Sequence, residues 1–206
     1  MNTLELFSGT QSFTKGIKRL NKNYNTTTVD ILPLFKPDIR ADILTWDYKK
    51  LPTGIFDIIW CSPPCTEYSI AKTTGERKLE LADSLVKKCF EILDYFKPRV
   101  WILENVGTGL LVKRMENIRP GLRKTFVDYC FYGKPYRKRT VLWSNIQLKL
   151  GLCQGKGKCK SMENGKHIGS VGNGSSNYKI RVSSIWDKDA IPDELIDSII
   201  EQALVI

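Results

Sequence analysis

The sequence predicts an α/β fold: a mostly parallel sheet with helices on both faces and a β-hairpin towards its C-terminal side. Three observations carry this. Apolar, β-branched runs alternate with stretches of helical periodicity through the first half of the chain, the pattern of a parallel sheet covered by helices. Between 124 and 145 two strand-like runs are separated only by a short basic segment, KPYRKR, which reads as an antiparallel pair. The chain has 206 residues, 42% hydrophobic and 26% charged, an ordinary globular composition able to bury a core without disulfides.

The elements follow in order. TLELF (3–7) is a short buried strand and SFTKGIKRL (12–20) the helix after it. TTTVDI (26–31) is β-branched and strand-like, and ADILTWD (41–47) is a weaker third strand. FDIIW (56–60) is a strong buried strand. In KLELADSLVKKCFEILDYF (78–96) apolar residues recur at 79, 81, 85, 86, 89, 90, 93 and 96, which is helical spacing, and Pro98 stops it. RVWILENV (99–106) is the next strand, and KTFVDYCFYG (124–133) and RTVLWSN (139–145) form the hairpin. IPDELIDSIIEQAL (191–204) is a closing helix with Pro192 in its first turn. Residues 146–184 are rich in Gly, Ser, Lys and Asn, with only HIGSV and YKIRVSSI suggesting order. The expected division is therefore a catalytic and cofactor-binding unit (1–145), an irregular insertion (146–184) and a C-terminal helix (185–206) packing back on the first unit.

The net charge is +10 and the isoelectric point about 9.3. The excess is local: RMENIRPGLRK (114–124), KPYRKR (134–139) and KLGLCQGKGKCK (149–160) are basic, whereas 187–202 is acidic. A polarised basic half suits a polyanionic partner, and it also suits a merely solubilising surface. No apolar stretch approaches the ~18 residues of a membrane span. The first residues lack the basic flank and apolar core of a signal peptide, so the expected location is cytoplasmic or nuclear with no membrane partner. The six cysteines are then expected to be reduced thiols.

In doubly wound sheets ligands bind beyond the carboxyl ends of the strands, so the residues there are the candidates. After the first strand Ser8, Gly9 and Thr10 make a tight turn into a helix, whose N-terminus favours anions. Asp30 ends the second strand, where an acid can accept hydrogen bonds from ribose hydroxyls, and Asp42-Ile43 follow the third. Each acid alone suits a solvated turn; together they suit a nucleoside-type cofactor. The fourth strand ends in CSPPC, where two prolines fix the backbone and hold Cys65 at the sheet edge. A thiol with a pKa of about 8.5 is a few per cent thiolate near neutrality, enough for a nucleophile. A metal-binding C-x3-C pair or an inert turn cysteine is the other reading. Glu104 follows an apolar run, where desolvation favours its protonated form; a helix-capping or salt-bridging role is the better reading of that residue taken alone.

This ordered set resembles the cytosine-5 DNA methyltransferases, enzymes with a Rossmann-like, S-adenosylmethionine-dependent catalytic domain. ELFSGTQSFTKG looks like their first motif, SPPCTEYS like the nucleophile motif, ENV like their Glu-Asn-Val, YRKRT like their Arg-x-Arg and IPDELIDSII like the tail of their last motif. The resemblance implies that Phe7 stacks on the cofactor adenine, that Ser8, Gly9, Thr10 and Pro64 surround the cofactor, that Asp30 holds its ribose and that Asp42 and Ile43 contact its adenine. It implies Cys65 as nucleophile, Glu104 on the cytosine ring, Arg137 and Arg139 as catalytic residues contacting the base, and Ser62, Pro63 and Asn105 lining the substrate side. The implied reaction is methylation of C5 of a cytosine flipped out of double-stranded DNA, through a covalent Cys65 adduct. The same chemistry on an RNA cytosine such as that of tRNA, or a catalytically weak relic that binds DNA or a partner, are the alternatives.

Four features depart from the family pattern. Thr66 stands where the family has Gln, and Pro135-Tyr136 precede the Arg-x-Arg. The stretch GNGSS (172–176) lies too far upstream of the last motif to serve as its Gly-Asn. Only 146–184 remains for target recognition. So small a recognition region suggests a minimal enzyme such as viruses and phages carry, or one needing a partner protein or self-association to complete recognition. Within it Cys153, Cys159 and His167 form a C-x5-C-x7-H array; a structural zinc could staple so small a loop, but the spacing is loose and no fourth ligand is evident, so the expectation is free thiols and no bound metal.

Overall fold

The computed structural model describes residues 1–171 and 178–206; GNGSS (172–176) lies outside the described residues. Apolar runs become strands where they are buried on both sides. Strands β1 (Asn2–Leu6), β2 (Asn25–Asp30), β3 (Ile39–Arg40), β4 (Ile58–Cys61) and β5 (Val100–Val106) are mutually parallel. Strand β6 (Lys124–Asp128) pairs antiparallel with β7 (Arg139–Ser144), and β7 antiparallel with β5. The sheet order is β3-β2-β1-β4-β5-β7-β6. Its direction of winding reverses between β1 and β4, the position where a doubly wound sheet opens a crevice for ligands.

Helices cover both faces. Helix α1 (Ser12–Leu20) packs with the C-terminal helix on one side of the sheet, over Trp60, Ile58 and Val100. Helices α2 (Leu79–Phe96) and α3 (Leu111–Ile118) cover the other, over Leu4, Ile59 and Leu103. Helix α2 ends as its sequence requires: Lys97 turns left-handed at φ 50°, its N–H bonds the Leu93 carbonyl at 2.9 Å, and Pro98 prevents another turn.

The remaining elements are small. A hairpin of β8 (Met162–Glu163) and β9 (Lys166–His167) is turned by Asn164 and Gly165 at φ 49° and 79°, a two-residue turn that needs positive φ at both places. Strands β10 (Gly169–Val171) and β11 (Ile180–Val182) pair parallel. A four-residue α4 (Ile185–Lys188) leads to α5 (Asp193–Leu204). Helix α5 closes on α1 through Ile196 and Ile200, and a Cβ on Gly16 would stand 2.2 Å from the Ile196 Cγ2, so only glycine permits this approach. Arg19 adds ion pairs to Asp193 (2.9 Å) and Asp197 (2.6 Å). Among the described residues no helix is long and apolar enough to cross a membrane.

Four expectations need correction. The third strand is Ile39–Arg40, not 41–47, where Asp42 instead organises a turn by accepting the Leu44 N–H. Strand β6 stops at Asp128; Tyr129–Tyr132 form a 3-10 turn that closes on Gly133 at φ 81°. Helix α3 was not expected, because it buries only Leu111 and Met115 among charged residues. The insertion carries short paired strands rather than irregular chain.

Candidate active site at the carboxyl edge of the sheet

The strand ends gather the candidates in two neighbouring groups. In the first, β1 runs into Phe7 and Gly9 at φ 56° and 44° and Gln11 at φ 58°. This turn is held from β2: the Ser8 N–H bonds the Val29 carbonyl (3.1 Å) and the Gly9 N–H bonds Asp30 (2.8 Å). Asp30 also accepts the Leu32 N–H at 2.8 Å. Each of its oxygens therefore accepts one backbone N–H and retains a lone pair towards the edge. Thr10 pairs with Ser12 at 3.0 Å, and Ser12 also accepts the Ile191 N–H at 3.1 Å, which ties the C-terminal segment to this turn. The Ser8 hydroxyl is buried and has no hydrogen-bond partner among the described residues. Ile43 is buried in the core, so at the third strand the surface is offered by exposed Asp42.

The second group lies on β4 and β5. Cys61 is the buried last residue of β4, and the chain then crosses Ser62, Pro63 and Pro64 in irregular conformation to Cys65. The segment is pinned at each step. The Ser62 N–H continues the ladder to Leu6 (3.2 Å), its hydroxyl accepts from the Trp60 indole (2.6 Å), and the Pro63 carbonyl accepts from buried Asn105 (2.9 Å). Ser62, through Leu6 and Trp60, and Pro63, through Asn105, are thus fixed to the sheet, which holds the loop. Beyond Cys65 its carbonyl accepts from Tyr68 and Ser69, and the buried Tyr68 hydroxyl donates to Asp83 (2.9 Å). Arg77 donates to three carbonyls of the same loop, those of Glu67, Ser69 and Lys72.

Cys65 and Glu104 are close enough for their charges to interact. Burial pushes the Cys65 thiol up; the Lys138 ammonium opposes this, whereas Glu104 and Asp189 reinforce it. Burial likewise raises the Glu104 carboxyl, against Lys138 and with Asp189. Both groups are thereby held towards their neutral forms, and Lys138 is the cation that favours their anions. The Lys138 Nζ is oriented by the Lys188 carbonyl at 3.1 Å. The buried Tyr129 hydroxyl lies beside Glu104 and Thr140 without a normal hydrogen bond to either.

The arginines behave differently from the sequence expectation. Both are drawn onto Asp128, whose side chain is wholly buried: Arg139 through two nitrogens (2.6 and 2.7 Å) and Arg137 through Nε (3.2 Å). Burial disfavours the Asp128 anion, but Arg139, the Cys153 N–H and Arg137 outweigh it and hold the carboxyl below its usual range. Arg139 is a cross-link within the sheet; Arg137, about half exposed, retains its terminal nitrogens for solvent or ligand. Sequence reasoning overlooked Lys138, Asp189 and Tyr129. Lys138 had a signal, as the central residue of Arg-Lys-Arg; Asp189 and Tyr129 become visible only once the C-terminal segment and the turn after β6 are brought beside Glu104.

Residues 1–133 match the family of C-5 cytosine-specific DNA methylases. The chain is 35% identical over 178 residues to a probable DNA (cytosine-5)-methyltransferase of Frog virus 3, covering 79% of each. Among solved structures it is similar to the Entamoeba histolytica methyltransferase EhMeth (TM-score 0.52, 19% identity, 73% of this chain and 56% of that one). It is also similar to the S. pombe Dnmt2 methyltransferase (TM-score 0.52, 15% identity, 72% and 51%). At these identities the two structures show the fold, and the chain spans about half their length.

Proposed function

The chain belongs to the C-5 cytosine-specific DNA methylase family, and from that premise we propose that it methylates C5 of a cytosine flipped out of double-stranded DNA, with S-adenosylmethionine as donor and Cys65 as covalent nucleophile. The observation that carries the reading is the pairing of Cys65 on a proline-braced loop with a protonation-prone Glu104 on the adjacent strand. Such a pair has little use in a protein that only binds.

The turn after β1 fits the donor. Ser8 supplies an unpartnered buried hydroxyl, and Asp30 supplies carboxylate lone pairs suited to ribose hydroxyls. When bound, S-adenosylmethionine supplies an electrophilic methyl group. The chain's own residues make the cytosine nucleophilic. The Cys65 thiolate adds to C6, forming a C–S bond and shifting the electrons of the C5–C6 double bond onto C5 and N3. Glu104, whose burial favours its protonated form, delivers its proton at N3 and neutralises that charge. A base takes the C5 proton, the thiolate departs and the N3 proton returns to Glu104, which restores the ring. Extruding the base costs a few kcal/mol, offset by phosphate contacts from the basic surface. On this reading 1–145 is the catalytic unit, 146–184 the target recognition region and 185–206 its C-terminal brace.

Transfer of labelled methyl groups to a random DNA duplex library, with tRNA in parallel, tests the reading. DNA is expected to be labelled at cytosine C5; labelling of tRNA alone moves the assignment to RNA. Cys65→Ser is expected to lose transfer at least a thousandfold while keeping its melting temperature, and the native enzyme to form a covalent adduct with 5-fluorocytosine DNA. Transfer by Cys65→Ser would exclude the covalent route.

A further inference from the structure

A second set of chemistry-bearing side chains lies away from the strand-end site. Cys130, Cys153, Cys159 and His167 each offer one ligand atom, and these four atoms all lie within 4.8 Å of one another. The His167 Nε2 is 3.5 Å from the Cys153 sulfur and 3.7 Å from that of Cys159. Ligands tetrahedrally arranged around zinc, with bonds of about 2.3 Å to sulfur and 2.0 Å to nitrogen, stand about 3.5–3.8 Å apart. The sequence array lacked a fourth ligand; the fold supplies it as Cys130, from the 3-10 turn after β6.

We propose that this Cys3His cluster binds one zinc ion, a structural site that staples the 146–184 segment to the catalytic sheet. Three ligands belong to that segment and one to the sheet, so the ion bridges them. Hydrogen bonds such as Ser161 to the Lys134 carbonyl (2.7 Å) and the Gly169 N–H to the Pro135 carbonyl (2.8 Å) also tie it down, but it has little apolar packing. Between 149 and 171 only Ser161 and Gly169 are buried. Strands β8 and β9 have two residues each, and an isolated two-stranded hairpin is marginal at best. Small units without a core are stabilised by metals in this way. The local chain is shaped for the purpose. Gly155 and Gly157, at φ 79° and 82°, wrap the loop between Cys153 and Cys159. The Cys159 N–H bonds the Gly155 carbonyl at 2.9 Å, and the Gly155 N–H turns towards the Cys153 sulfur. The tight Asn164-Gly165 turn presents His167 to the three sulfurs. Four ligands complete a tetrahedron and leave no open position, so the ion is structural rather than catalytic. A disulfide between two of the thiols would leave the third thiol and the imidazole without a role.

The ion also reaches the strand-end site through the backbone. The Cys153 N–H donates to Asp128 at 2.9 Å, and that carboxylate holds Arg137 and Arg139. Fixing Cys153 therefore fixes the arginines on either side of Lys138; only this consequence rests on the proposed methyltransferase reading.

The test is metal content of the full chain purified under reducing conditions, with cobalt exchange as a second measurement. One zinc per chain is expected, together with the intense thiolate-to-cobalt charge-transfer band and visible absorption of a tetrahedral site. Cys130→Ser and Cys159→Ser are expected to lose the metal, whereas Cys65→Ser, outside the cluster, retains it. Removing the ion with a chelator is expected to lower the melting temperature of the native chain. Folded native protein that holds no zinc and develops no cobalt band overturns the proposal, even if the variants do not fold. So does a disulfide among the three cysteines, or full metal content in Cys130→Ser.

Discussion

After burial, which raises both, Lys138 is the largest influence on the two ionisations of the candidate site. Its neighbours Arg139 and, through Nε alone, Arg137 are paired with Asp128, whereas Lys138 is the cation acting on both Cys65 and Glu104. Nucleophilic attack requires the thiolate and protonation at N3 requires the carboxylic acid, so kcat/KM is expected to rise with pH as Cys65 ionises and to fall as Glu104 does. A positive charge lowers both pKa values. Lys138→Met removes it, so both limbs of the profile are expected to move to higher pH; the thiolate fraction at neutral pH falls about tenfold for each pKa unit the thiol rises, offset by whatever proton Glu104 gains from the same change. A uniform loss with unmoved limbs would make Lys138 a structural residue only. Asp189 acts in the opposite sense, and Asp189→Asn shifts the limbs downward on the same argument.

At the scale of elements, the site depends on how β1 hands over to α1. Glu5, buried in β1, accepts the Phe13 and Thr14 N–H groups at 3.2 and 3.0 Å, satisfying donors at the start of a helix whose N-cap residue, Gln11, makes no side-chain cap. Burial nevertheless raises its pKa from 4.5 to about 7, against those bonds. Between these values the unfolded chain has lost the proton and the folded one keeps it, so folding takes up a proton and stability falls as pH rises. The loss is complete above about pH 7 and amounts to about 3 kcal/mol, at about 1.4 kcal/mol per pKa unit. Glu5→Gln, which cannot ionise, is expected to remove that part of the pH dependence. Urea unfolding at pH 5 and pH 8 measures it: equal slopes for both proteins would show that Glu5 is ionised throughout. The long elements were legible because burial imposes a period on them. The spacing in 78–96 marks α2 within a residue of its ends, and FDIIW marks β4. Helix α3 and the two-residue β3 bury too few side chains to leave such a period, and the Tyr129–Tyr132 turn is apolar for the sake of packing, not of strand pairing.

For the whole molecule, sequence and structure diverge most where function joins parts distant in the chain. The strand-end acids, the prolines and Cys65 are legible because each follows its own strand. The Cys3His cluster and the Lys138–Asp189 opposition are not, because one member of each arrives from another region. The same folding concentrates charge. Lys156, Lys158, Lys160 and Lys166 are all exposed on the segment that carries three ligands of the Cys3His cluster, and the Cys153–Asp128–Arg137 contacts connect that segment to the active edge. With a net charge of +10, this surface is the place where phosphates would dock and release counterions. Affinity for a DNA duplex is then expected to fall linearly in log–log form with salt, by about 0.9 per phosphate contacted. Replacing Lys156, Lys158 and Lys160 by Ser is expected to make the slope shallower by up to three such increments, with metal content and melting temperature unchanged. Anisotropy titrations across a sodium chloride series measure this. A slope that stays the same in the triple variant would move the DNA-binding surface off the insertion and onto the basic residues of 114–124.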